Sequence, residues 1–228
     1  MKSQIIYEDN EILVIYKPEG LAAQSARVTQ PDVVSEICSY LKSPYVGLVH
    51  RLDQPVEGLM VLGKTKEATA KLSRQVTDGM LEKTYLAVVT RDDGKAEDIS
   101  AEWTKLTDCL TKDGKSGKAM IAEDNGQQAV LFYRRLSSGE HNTALLEIRL
   151  VTGRFHQIRL QMSHHSMPLL GDVKYGSENS AGCTKALSKE IRSVCLCAYK
   201  LAFLHPKTKK PMKFEIKPHK PVFDRYVF

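Results

Sequence analysis

Val49-His50-Arg51-Leu52-Asp53-Gln54-Pro55-Val56-Glu57-Gly58-Leu59-Met60 is the stretch around which the sequence is organised. A polar, charged run, His50-Arg51-Leu52-Asp53, meets Pro55 and Gly58 and then passes into Leu59-Met60-Val61-Leu62. Proline removes a backbone donor and fixes its own φ, while glycine permits a sharp or close-packed backbone. The apolar run is short enough to be a buried strand. Arg51 and Asp53 therefore belong on a tight loop entering a core, a good place for a working carboxylate. The same residue types also suit a surface salt bridge beside a turn, since charges near turns are usually solvated.

Working outward, the 228 residues at 42% hydrophobic content are enough for one substantial core. No apolar run approaches the roughly 20 residues that span a bilayer. Met1-Lys2-Ser3-Gln4 begins no signal-peptide pattern, so a cytoplasmic protein without a membrane partner is expected. The five cysteines, Cys38, Cys109, Cys183, Cys195 and Cys197, are odd in number and scattered, which suits a reducing compartment. Cys195-x-Cys197 lacks zinc-knuckle spacing and a second pair, so the cysteines read as mostly buried apolar thiols and no metal is expected. Charge is uneven: residues 1–150 hold 19 Lys and Arg against 22 Asp and Glu, a net of −3. Residues 151–228 hold 14 against 5, a net of +9. A one-sided basic surface attracts phosphate, although a solvated lysine face has the same composition.

Before the central stretch, residues 5–16 read as two strands around an Asp9-Asn10 turn, ended by Lys17-Pro18-Glu19-Gly20. Pro31 opens a helix whose apolar positions Val33, Val34, Ile37 and Leu41 have helical spacing. After it, Thr65 caps a helix over Lys66–Thr77 closed by Asp78-Gly79, with Lys66, Lys71 and Arg74 solvated. Lys83–Val89 is a strand by propensity and alternation. Residues 91–127 offer turn sequences between short candidate strands, and Gln128–Tyr133 and Thr143–Val151 are clearer strands. The latter runs into Thr152-Gly153-Arg154-Phe155-His156-Gln157-Ile158-Arg159, where Gly153 lets a strand turn abruptly into a helix. A first helical turn has unpaired donors that suit anions, and Arg154, His156 and Arg159 fall within two turns. Arg–Glu surface pairing is the other reading of that block. Residues 177–182 read as a polar loop, followed by a short helix near Lys185–Ile191. Leu196–Leu204 and Met212–Ile216 form a hairpin around His205-Pro206.

Three separated blocks carry a resemblance. His50-Arg51-Leu52-Asp53 with Gly58-Leu59 resembles the catalytic motif of the RluA-type pseudouridine synthases, RNA uridine isomerases. Lys83-Thr84-Tyr85 is similar to the family's Lys-x-Tyr. Gly153-Arg154-Phe155-His156-Gln157-Ile158-Arg159 followed by Gly171-Asp172-Val173-Lys174-Tyr175-Gly176 resembles its second signature. The opening strands and Lys17-Pro18-Glu19-Gly20 also match in order, so the resemblance runs from about Ile5 to Lys217. Departures are Val56-Glu57 for Thr-Ser, Gln161 and Cys197 for histidines, and Ser166 for glycine.

The resemblance implies an α+β fold: one catalytic domain over residues 1–228, with a long mixed, mostly antiparallel sheet flanked by helices. It leaves no space before Ile5 for the small S4-like RNA-binding domain of many relatives. It implies isomerisation of uridine to pseudouridine in structured RNA, rRNA or tRNA, with no cofactor. Asp53 is then the catalytic carboxylate, Tyr85 stacks on the base, and Arg159 pairs with the aspartate. Arg51 fills the gap left by the extruded nucleotide, with His50, Arg154, His156 and Gln157 as further RNA-binding positions. A monomer is the default. A non-catalytic RNA-binding relative and a hydrolytic N-glycosidase are the other readings, the latter lacking an evident second carboxylate.

Overall fold

The computed structural model describes residues 1–25, 30–114, 116–123, 125–188 and 191–227. In chain order the elements are β1 (Gln4–Glu8), β2 (Ile12–Lys17), α1 (Val33–Leu41), β3 (Gly47–Leu48), β4 (Glu57–Gly63) and α2 (Lys66–Thr77). They continue with β5 (Glu82–Thr90), β6 (Thr104–Lys112), β7 (Ala119–Ile121), β8 (Gln127–Gly139) and β9 (Thr143–Leu150). The last are α3 (Gln157–His164), α4 (Glu178–Leu187), β10 (Leu196–Leu204) and β11 (Pro211–Glu215). The mixed, mostly antiparallel strand pairing expected for this chain is present. The chain divides into two compact units, 1–83 with 197–218, and 84–196 with 219–228.

In the first unit the strand order is β1-β2-β4-β10, with β11 on β10 and β3 on β4. The Asp9 side chain accepts from the amides of Glu11 (2.8 Å) and Ile12 (2.9 Å), which makes the β1–β2 turn. Every residue of β2 and β4 is buried, so apart from Lys17 and Glu57 at their ends both strands read as continuous rather than alternating apolar runs. Strand β4 lies between antiparallel β2 and parallel β10, where Ala198 opposes Gly58. At Gly58, φ is +131° and a Cβ would sit 2.4 Å from the Ala198 carbonyl oxygen, so only glycine fits. Ile12, Val14, Leu59, Val61, Leu72 and Phe203 form the core over which α2 packs. Helix α2 has the expected Thr65 cap and ends before Gly79. Helix α1 begins at Val33, two residues later than proline-first spacing suggests, because Asp32 and Ser35 form a reciprocal capping box.

The second unit pairs its strands in the order β5-β9-β8-β6-β7. The uninformative stretch 91–127 contains the antiparallel pair β6–β7, between which the Asp113 amide donates to the Lys118 carbonyl at 2.9 Å; Lys115, in the turn sequence expected there, lies outside the described residues. Two local expectations are corrected here. The left-handed residue between β9 and α3 is His156, φ 53°, not Gly153. The polar run at 177–182 is the start of α4, not a loop: Ser177 and Ser180 cap each other in a capping box. Serine-rich sequence has the same composition at a cap and in a loop, and only the reciprocal hydrogen bonds distinguish them. The helix placed near 185–191 is thus the end of α4, at Leu187, and Lys189 and Glu190 fall outside the described residues. Of the cysteines, Cys195 and Cys197 are buried, Cys38 and Cys183 partly so, and Cys109 is exposed. No helix among the described residues is long and apolar enough to cross a membrane.

Candidate active site

The first unit contributes the loop that carries Asp53. Its turn closes through the Val56 amide, which donates to the Asp53 carbonyl at 3.0 Å. The neighbouring Gln54 carbonyl accepts from the Gly20 amide (2.8 Å) and from Lys17 Nζ (3.3 Å), and Gln54 Nε2 returns a bond to the Gly20 carbonyl (3.0 Å). Lys17 is fully buried, and its ammonium also donates to the Pro18 (3.0 Å) and Leu21 (2.8 Å) carbonyls. The Lys-Pro-x-Gly segment therefore braces the carboxylate loop from 37 residues away. A buried ammonium is tolerated only with such a set of acceptors.

His50 stands at the start of the same loop. Its Nε2 accepts from the Val61 amide of β4 at 3.2 Å, which leaves the proton on Nδ1 in the neutral ring. Burial, with help from the Lys83 charge, pushes its pKa down to about 3. His50 is a neutral brace and supplies no cation to RNA at pH 7, unlike the exposed Arg51, whose Nη2 donates to Gln24 Oε1 at 3.0 Å. Leu52 is buried and Asp53 is half-buried. The two departures at Val56 and Glu57 are both absorbed by packing. Val56 is buried, and the Glu57 carboxylate accepts from the Tyr16 hydroxyl inside the unit. Burial and that carboxylate together raise the Tyr16 pKa.

In the second unit, Tyr85 lies on β5 and is 5% exposed, and a separate group gathers around the start of α3. Arg159 meets Asp172 in a two-pronged pair, Nε to Oδ2 and Nη2 to Oδ1, each 2.7 Å. Burial by itself would raise the Asp172 pKa; the Arg159 bonds and charge, with the Lys174 and Tyr175 amides, outweigh it and hold it low. The Tyr175 ring lies 5.2 Å from the Arg159 guanidinium carbon, and its hydroxyl meets His156 Nδ1 at 2.8 Å. That hydroxyl also accepts from the Ala119 amide at 2.7 Å, so His156 and Arg159 are gathered on one tyrosine.

Gln157 is a buried strut. Its Oε1 accepts from the Thr152 hydroxyl (2.8 Å) and the Arg154 amide (2.9 Å), and its Nε2 donates to the Val130 carbonyl (3.1 Å) and Gln161 (2.9 Å). With both ends of its amide engaged inside the unit, Gln157 is suited to shaping the start of α3. Arg154 is exposed, its Nε on the Gln128 carbonyl at 3.0 Å, and remains suited to phosphate. Asp172 and Tyr175 belong to the second signature but not to the residues it suggests for the site; the signal for them is the Gly-Asp-x-x-Tyr-Gly spacing itself. Chemically, the parts supply a carboxylate on a braced turn, an aromatic ring in a strand, and a guanidinium fixed by a buried carboxylate. These are the means to bear charge at a sugar and to stack a base. One further group, Asp108, His164 and His165, has the donor types for a metal ion.

Residues 11–164 match the RNA pseudouridylate synthase family. The chain is 33% identical over 202 residues to ribosomal large subunit pseudouridine synthase C of Rickettsia bellii, covering 84% of this chain and 63% of that protein. It is 34% identical over 222 residues to ribosomal large subunit pseudouridine synthase D of Pseudomonas aeruginosa, covering 93% and 67%. The chain thus spans about two thirds of the length of these relatives. Among solved structures, human RNA pseudouridylate synthase domain containing 4 superposes with a TM-score of 0.72 at 25% identity, covering 96% of this chain and 90% of that one.

Proposed function

Since the chain belongs to the RNA pseudouridylate synthase family, we propose that it isomerises a uridine of structured RNA to pseudouridine without a cofactor. The reaction breaks the N1–C1′ bond, turns the freed uracil and forms a C5–C1′ bond. The C5 proton leaves and N1 gains one, so nothing is consumed. Asp53 is the catalytic carboxylate at the sugar or base, Tyr85 stacks on the uracil and takes the C5 proton, and Arg159, held by Asp172, is the guanidinium of the set. Extruding the nucleotide costs a few kcal/mol of stacking, which Arg51 offsets by entering the vacated space. Among RNAs, the large ribosomal RNA is the favoured substrate, because the relatives' names place their activity there.

The observation that carries this reading is the bracing of the Asp53 turn by Lys17, Gly20 and His50. Such rigidity has a purpose where a carboxylate must be held in a reactive position. Burial of Val56 and Glu57 accounts for their departure as repacking, which weakens the case for a non-catalytic relative. The test is Asp53→Asn, assayed on RNA from cells lacking the protein. Loss of pseudouridine formation with RNA binding intact is expected, and persisting activity would remove Asp53 from its role. Release of free uracil by the native protein would point to the hydrolase instead.

A further inference from the structure

Away from the residues proposed for catalysis, Asp108 of β6 faces the far end of α3. Its Oδ2 lies 3.1 Å from His165 Nε2, and its Oδ1 lies 3.8 Å from His164 Nε2. Gln161, fully buried, donates to Oδ2 at 2.7 Å and so orients the carboxylate. The Asp108 side chain is only 8% exposed, yet no lysine or arginine among the described residues pairs with it. Two imidazoles and one carboxylate, brought together from positions more than 50 residues apart, have ligand atoms all within 4.8 Å. Ligands at about 2.0–2.2 Å from a zinc ion stand roughly 3.3–3.6 Å from one another in a tetrahedral site. The two Asp108–histidine separations, 3.1 and 3.8 Å, lie on either side of that value, and the third, between the histidines, is within 4.8 Å. Both imidazoles are partly exposed, so their rings are not locked by packing at these separations.

We infer that Asp108, His164 and His165 form a divalent metal site of the zinc type, with Gln161 as the positioning residue behind the carboxylate. Imidazole with carboxylate suits zinc better than calcium or magnesium, and three protein ligands leave the remaining coordination to water. The ion would fasten the end of α3 to β6, holding the helix whose first turn bears Arg159. The ring contact already in place, His164 and His165 edge to face with centroids 5.2 Å apart, brings both donors to the same side of the helix end.

The experiment is a calorimetric titration of zinc chloride into full-length protein stripped with EDTA and free of any histidine tag. Thermal melts with and without zinc are run in parallel. The native protein takes up one zinc per chain and melts at a higher temperature with it. His165→Ala and Asp108→Asn each weaken that binding by about tenfold or more and lose the thermal shift. Both substitutions are mild for the fold, since His165 is partly exposed and the amide oxygen introduced by Asp108→Asn still accepts from Gln161; their zinc-free melts check this. Absence of a one-to-one site in the native protein overturns the proposal. So does binding that is equally tight in both variants, which would place zinc on another histidine.

Discussion

His50 and Arg159 are both polar residues whose value to the protein lies in what they hold. His50 stays neutral because burial drives its pKa to about 3, against an unfolded value of about 6.5. A depressed folded pKa means that the unfolded chain binds the extra proton first. The stability from keeping His50 neutral is complete above about pH 6.5 and is lost as pH falls towards 3. Acid denaturation of the native protein should therefore include a loss on the order of a few kcal/mol in that window. His50→Gln, which keeps an acceptor for the Val61 amide, should flatten it; equal pH profiles for the two would count against the buried neutral ring. Arg159 is the opposite case, a buried charge with a buried partner. Arg159→Ala strands Asp172 and should cost about 3–5 kcal/mol, read from denaturant melts. Arg159→Lys retains the charge without the two-pronged geometry, and is the better variant for separating chemistry from folding.

The elements show where local signals suffice. The Asp53 turn, α2 and the β1–β2 hairpin follow from proline, glycine, Thr65 and Asp9, whose effects act within a few residues. Gly58 links this local signal to packing. Its positive φ and the Ala198 backbone leave no volume for a side chain, so Gly58→Ala should cost more than the usual 1 kcal/mol. A melting temperature unchanged by that substitution would contradict the β4–β10 approach. Only the first part of α4 reads as a loop, because its start is written in serines, which local composition cannot separate from a loop. Ser177→Ala should lower stability by about 1 kcal/mol, as expected for a lost cap. Strands β6 and β7 were indistinct for a related reason: β7 is very short, and β6, exposed at most of its positions, is identified by its partner β8.

Across the molecule the formal charge of +6 conceals a −3 and a +9 portion. If the basic portion meets RNA phosphates, log affinity should fall linearly with log salt. Exposed Arg154 belongs to that portion. Arg154→Ala should reduce the slope of that line by about one while leaving sequence preference in place. An unchanged slope would place Arg154 outside the RNA footprint.

Read alone, the order of residues identifies the family, the mixed sheet and helices, and the loop on which Asp53 sits. These depend on ordered motifs, on periodicity and on backbone restrictions carried by single residues. Only the tertiary structure decided what each polar group holds: Lys17 to Gln54, His50 to Val61, Arg159 to Asp172, and Asp108 to the two histidines at the end of α3. Hydrogen-bond partners distant in sequence are chosen by register and packing, and short-range propensity contains neither.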